Sequence, residues 1–212
     1  IISQKGWVRS RLGHGHDPLQ FTFKLGDALY ASYECRTVDF VIGFGSDGRV
    51  YSVPVSDLPG ARGDGVPLTS LVNMVAGTQM TAFYAGQLDD LILISMASGN
   101  GFLANLADMV TRNKAGKAFV GLNNKTSPTD KVLPLHKINE SMKHVACYAS
   151  NGKLLTFDLQ ELKRLPSGGK GVILMDFEQA VQLTSAMCFD EEGLLLSGIG
   201  RGNKVNENVL SF

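Results

Sequence analysis

Residues 166–175 read PSGGKGVILM, and the purpose of the glycines around Lys170 decides the fold. One reading is a phosphate loop of the form G-x-x-x-x-G-K-[ST], whose backbone N–H groups wrap phosphate and whose hydroxyl binds magnesium. The stretch fails that reading at both ends. Arg164 stands where the first glycine belongs, and Gly171 follows Lys170 in place of Ser or Thr.

Repetition supplies a better reading. Gly63, Gly116 and Gly169 are spaced 53 residues apart, each close to a second small residue and an apolar run. A second marker runs alongside, a glycine between two apolar stretches, at Gly6, Gly48, Gly101, Gly152 and Gly193. Each marker reads as strand, tight turn and returning strand; Asp47-Gly48 and Asn151-Gly152 supply the positive φ that two-residue hairpin turns need. Five hairpins predict an all-β, five-bladed pinwheel, a propeller-like disc of four-stranded blades that leaves few exposed sheet edges. Helix is expected only as single turns at Ser56–Leu58, Leu106–Met109 and Leu159–Leu162. The glycines of PSGGKG then let the chain turn sharply where one blade hands over to the next.

Composition agrees. The chain has 212 residues, 44% of them hydrophobic, with 24 glycines and 19% charged residues. That suits a turn-rich β architecture with a substantial core. The three cysteines, Cys35, Cys147 and Cys188, are widely separated, which predicts reduced thiols and no disulfide framework. No apolar run approaches the length of a membrane span, and the opening IISQKGW reads as the interior of a longer protein.

Twenty basic and twenty acidic residues cancel, so net charge names no partner; placement matters more. Arg112, Lys114 and Lys117 fall in one acid-free connection, and Lys163, Arg164 and Lys170 in the next. Lys5, Arg9 and Arg11 extend the series in the first unit, and Arg62 is a weaker member beside Asp64. A charge run is usually a solvated face. Recurrence at one position of a repeat predicts more, a basic track along one rim.

The strings QKGWVRS (4–10), GRVYSVPVSDLPGARGDGVPLTSLV (48–72) and GFLANLADMVTRNKAGKAF (101–119) resemble the C-terminal domains of the A subunits of DNA topoisomerase IV, relatives of the gyrase A domain. The resemblance implies a five- or six-bladed pinwheel whose blades exchange strands and whose basic rim binds and bends duplex DNA. Residues 1–212 would form a single DNA-binding domain of a longer cytoplasmic, nucleoid-associated bacterial protein. Its role would be non-catalytic, helping to select DNA geometry for strand passage, decatenation and relaxation. The partners implied are the rest of the A subunit and the ATPase B subunit in a heterotetramer, with ATP and Mg used by the whole enzyme and no cofactor in this chain. The DNA contacts would be Lys5, Arg9, Arg11, Arg62, Arg112, Lys114, Lys117, Lys163, Arg164 and Lys170. Gly63, Gly65, Gly116, Gly168, Gly169 and Gly171 would be structural glycines of the basic boxes.

Two departures from the family pattern matter. The gyrase box Q-R-R-G-G-K-G is reduced here to Gly168-Gly169-Lys170-Gly171, preceded by Leu165, Pro166 and Ser167. This favours the topoisomerase IV relative over gyrase-like chiral wrapping. After SGIGRGNKV a fifth basic box is expected, yet Val205 runs directly into NENVLSF. None of the five tyrosines follows an arginine, as the family's cleavage tyrosine does.

Other motifs are weaker. His14, His16 and Asp17 could form half a metal site, but no Cys or His cluster elsewhere completes it, so no metal is expected. Asp89-Asp90 and Asp190-Glu191-Glu192 read as solvated turns rather than acid–base pairs, and Trp7 as core. The competing functions are a protein-binding propeller, a gyrase-like DNA-wrapping domain and a propeller enzyme with carboxylates at its axis.

Overall fold

The computed structural model describes residues 1–60, 63–123, 129–178, 180–199 and 205–210. The first unit comprises β1 (Ile2–Ser3), β2 (Trp7–Val8) and β3 (Leu29–Ala31), and the second β4 (Phe40–Gly45), β5 (Arg49–Pro54), β6 (Val66–Pro67) and β7 (Met80–Gly86). The third comprises β8 (Leu91–Ser95), β9 (Asn100–Asn105), α1 (Leu106–Met109), β10 (Lys117–Ala118) and β11 (His136–Ile138). Then follow β12 (His144–Ala149), β13 (Leu154–Asp158), β14 (Val172–Ile173), β15 (Leu183–Phe189), β16 (Leu194–Ile199) and β17 (Val205–Leu210). Single 3-10 turns at Val55–Asp57 and Leu159–Glu161, with α1, fall where single turns are expected from the sequence. No described helix is long and apolar enough to cross a membrane.

The strands pair as β3-β1-β2-β6, β10-β5-β4-β7, β11-β8-β9-β14 and β13-β12-β15, with β16-β17 as a separate ribbon. Among the described residues the fold is therefore an all-β pinwheel of four blades, not five. Two turns differ from expectation. Gly193 lies in the connection from β15 to β16, strands of different sheets, rather than inside a hairpin. In the third blade Gly101 belongs to β9, and the turn is made by Gly99 at φ 87°.

Strand exchange ties the disc together. β6, β10 and β14 each leave their own unit to pair with the second hairpin strand of the blade before, at Trp7↔Pro67, Lys117↔Val50 and Val172↔Gly101. A glycine precedes each of these strands: Gly65, Gly116 and Gly171. At Gly171, with φ 76°, a Cβ would run into the Gly101 carbonyl of the neighbouring strand. Close backbone approach and positive φ together require glycine there.

The core lies between blades. On β8, alternation sends Ile92 and Ile94 into the cluster shared with Ile42, Phe44 and Phe119, while Leu93 joins Leu103, Val145 and Cys147 on the other side. A strand buried on both faces reads as a continuous apolar run, as LILIS does. Burial pushes the Cys147 and Cys188 thiols up to about 12, which leaves them unreactive packing groups.

Asp90 corrects another expectation, because it is buried rather than solvated. It accepts hydrogen bonds from the Tyr84 hydroxyl at 2.8 Å and the Gln87 N–H at 2.9 Å, and pairs with Lys137 on β11. Burial alone would raise its pKa; the bonds from Lys137, Tyr84 and Gln87 outweigh that and hold it below the usual carboxylate range. Asp90 thus links β7 of the second blade to β11 of the third.

Candidate nucleic-acid interface

The box connections are bonded edge to edge. Gly169 N–H donates to the Phe119 carbonyl at 2.7 Å, and Gly121 N–H to the Gly169 carbonyl at 2.9 Å. The connection 116–121 therefore runs directly beside 168–170. Leu103 N–H donates to the Lys163 carbonyl and Leu165 N–H to the Leu103 carbonyl, at 2.9 and 2.8 Å. These bonds fix Lys163 and Arg164 against the outside of β9. Asn73 N–H donates to the Lys114 carbonyl at 2.8 Å. Backbone bonds thus set the course of these connections.

Of the expected contacts, Lys5, Arg11, Arg112, Lys114, Lys163, Arg164 and Lys170 are exposed. Arg62 lies outside the described residues. Two expectations change. Arg9 is only 7% exposed; its guanidinium donates to the Gly63 carbonyl at 2.7 Å and the Thr22 carbonyl at 2.6 Å, and lies 5.4 Å from the Phe23 ring centroid. It clamps the first box to the loop after β2 instead of facing solvent. Lys117 turns its ammonium onto the carbonyls of Asp108 and Val110, at the C-terminal end of α1. A cation there satisfies carbonyls left open by the helix end.

Arg49 carries no signal in the sequence. On β5 it donates through Nε to the Ala115 carbonyl at 3.0 Å and through Nη2 to the Gly116 carbonyl at 2.7 Å. Arg49 and Lys117 hold the second box from two sides and leave Arg112 and Lys114 facing outward. No motif marks Arg49; its role follows from β10 pairing back onto β5.

The remaining candidates have local roles. The His16 ring Nε2 lies 2.9 Å from the Leu12 carbonyl. Asp17 caps a 3-10 turn at Pro18–Gln20 by accepting from Leu19 N–H. Trp7 is only partly buried, with the Lys24 ammonium 3.5 Å from its ring centroid. Among the described residues, no group of three or more His, Cys, Asp or Glu could hold a metal ion.

Blades that exchange strands, with the second and third box connections bonded through their backbones, define a class of domain. The family of the DNA gyrase C-terminal domain, a β-propeller, matches residues 39–73 and 149–190. The chain is also similar to the A subunits of DNA topoisomerase 4. It is 34% identical over 218 residues to the Neisseria gonorrhoeae protein, covering 99% of this chain and 28% of that one. It is 31% identical over 180 residues to the Escherichia coli K12 protein, covering 85% and 23%. The chain thus spans less than a third of these relatives. The solved E. coli ParC C-terminal domain superposes with a TM-score of 0.80 at 28% identity, over 98% of this chain and 84% of that one. A DNA gyrase A C-terminal domain shares the fold, with a TM-score of 0.63 at 18% identity, over 92% and 66%.

Proposed function

We propose that this chain binds and bends duplex DNA along its box-bearing rim, as a non-catalytic domain of a type IIA topoisomerase of the topoisomerase IV kind. The observation that carries this reading is the side-by-side bonding of 116–121 to 168–170, with Arg112, Lys114, Lys163, Arg164 and Lys170 exposed on the two acid-free connections. Exposed cations at backbone-fixed positions suit phosphate contacts, which position DNA without reading sequence. Bending a 20–30 bp site costs about 1–6 kcal/mol, so several contacts must act together. In the whole enzyme the domain would favour particular DNA geometries for strand passage at the nucleoid. ATP and Mg would act elsewhere in the assembly, which would join the rest of the A subunit to the ATPase B subunit. A fluorescence titration comparing linear duplex with pre-bent duplex at several salt concentrations tests this. Tighter, salt-sensitive binding of the bent duplex is expected, and absence of salt-sensitive binding to either would refute the reading.

A further inference from the structure

β2, β5 and β9 begin with Trp7, Arg49 and Asn100, and each of these residues faces the strand arriving from the next unit. Trp7 pairs with Pro67, Arg49 with Ala118 and Asn100 with Ile173. In the second and third blades the side chain at this position donates to the arriving connection. Arg49 reaches the Ala115 and Gly116 carbonyls, and Asn100 the Val172 carbonyl at 3.4 Å. The first blade departs from this pattern. Trp7 carries a cation instead, the Lys24 ammonium 3.5 Å from its ring centroid, well inside the roughly 6 Å reach of a cation–π contact.

Lys24 is held in place through its backbone. The Asp27 N–H donates to the Lys24 carbonyl at 2.9 Å, with Gly26 between them at φ 73°. The Asp27 carboxylate accepts from the Ser3 hydroxyl and from Lys5 N–H, at 2.6 and 3.1 Å, which ties this turn to the β1–β2 hairpin. Lys5 reaches the same place, its ammonium 3.6 Å from where a Cβ on Gly26 would stand. Both lysines are exposed, and Asp27 offsets the charge of Lys5. Lys24 has no ion-pair partner among the described residues. It therefore leaves positive charge beside β6, which ends the strand order of its sheet as β10 and β14 end theirs. We propose that Lys24, seated on Trp7, is a DNA-phosphate contact of the first blade, in the part that Arg9 gives up by turning inward. The indole fixes the ammonium at one spot and leaves its outer side open to an anion, and a phosphate contact needs no more than a positioned cation. The proposal rests on the DNA-binding reading of the rim.

Fluorescence anisotropy of a labelled duplex with the 212-residue chain, at several salt concentrations, tests it. Lys24→Ala should lower the slope of log K against log salt by about 0.9, which is about fivefold in affinity at about 0.15 M salt. Lys24→Arg keeps the charge and its seat on the ring, and should bind as the parent does. Trp7 is the chain's one tryptophan, so acrylamide quenching of its emission should fall when duplex is bound. Three results would each overturn the proposal while leaving DNA binding by the other boxes intact. They are an unchanged slope in Lys24→Ala, equal losses in the alanine and arginine variants, and unaltered quenching with duplex bound. Absence of salt-sensitive binding by the parent chain would instead refute DNA binding itself, and the proposal with it.

Discussion

Replacing Lys163, Arg164 and Lys170 together by alanine should separate DNA binding from folding. All three side chains are exposed, and the bonds that fix their connection are made by backbone groups of Lys163, Leu165, Gly168 and Gly169. The fold should therefore survive, with a melting temperature within a few degrees of the parent. Each phosphate neutralised on B-DNA contributes about 0.9 to the slope of log K against log salt, so losing three contacts should lower the slope by about 2.7. At about 0.15 M monovalent salt this amounts to about 10²-fold in affinity. Fluorescence anisotropy with duplexes of several unrelated sequences, between about 50 and 200 mM salt, would read both quantities. The loss should be alike for every sequence. An unchanged slope in a folded variant would refute the phosphate track; a loss confined to one sequence would mean that these residues read bases.

Lys117→Ala should instead lower stability by about 1–2 kcal/mol, because the carbonyls of Asp108 and Val110 lose a charged donor; chemical denaturation would measure it. Arg49→Ala should cost about 1.5–3 kcal/mol and weaken DNA binding by disordering the Arg112–Lys114 connection; a variant as stable as the parent would remove the clamp from the account. The Asp90 carboxylate has a lowered folded-state pKa. Its stabilisation is therefore complete above the unfolded value of about 3.9 and is lost as pH falls further. Asp90→Asn should be less stable than the parent at neutral pH, with the gap closing in acid melts. Duplex circles nicked and religated with the chain bound should show no strong positive shift in linking number, since Leu165-Pro166-Ser167 replaces the basic half of the gyrase box.

The parts of the fold legible in the sequence were those written in local chemistry. Asp47-Gly48 and Asn151-Gly152 announce hairpins because the turn itself demands those residues, and α1 follows from its position after β9. SGNG offers two glycines, and only the register of β9 against β8 puts Ser95 opposite Gly101 and leaves the turn to Gly99. Glu192-Gly193 before LLLSGI resembles a hairpin turn, but β16 pairs forward with β17, a partner that local pattern cannot reveal. The recurrence of basic residues was legible, while the fate of each cation was not. Arg9 and Lys117 share their neighbours' charge, yet the carbonyls that capture them belong to Gly63, Thr22, Asp108 and Val110, which strand exchange and the loop after β2 bring within reach.

The most direct measurement is lysine acetylation mapped by mass spectrometry with and without duplex DNA. If the rim described here holds the phosphates, Lys114, Lys163 and Lys170 should lose reactivity together when duplex is added. They should lose more than any other described lysine except Lys5 and Lys24, and the protection should disappear at high salt. Protection falling only on other lysines, or no protection at these three under conditions where the duplex is bound, would contradict the account.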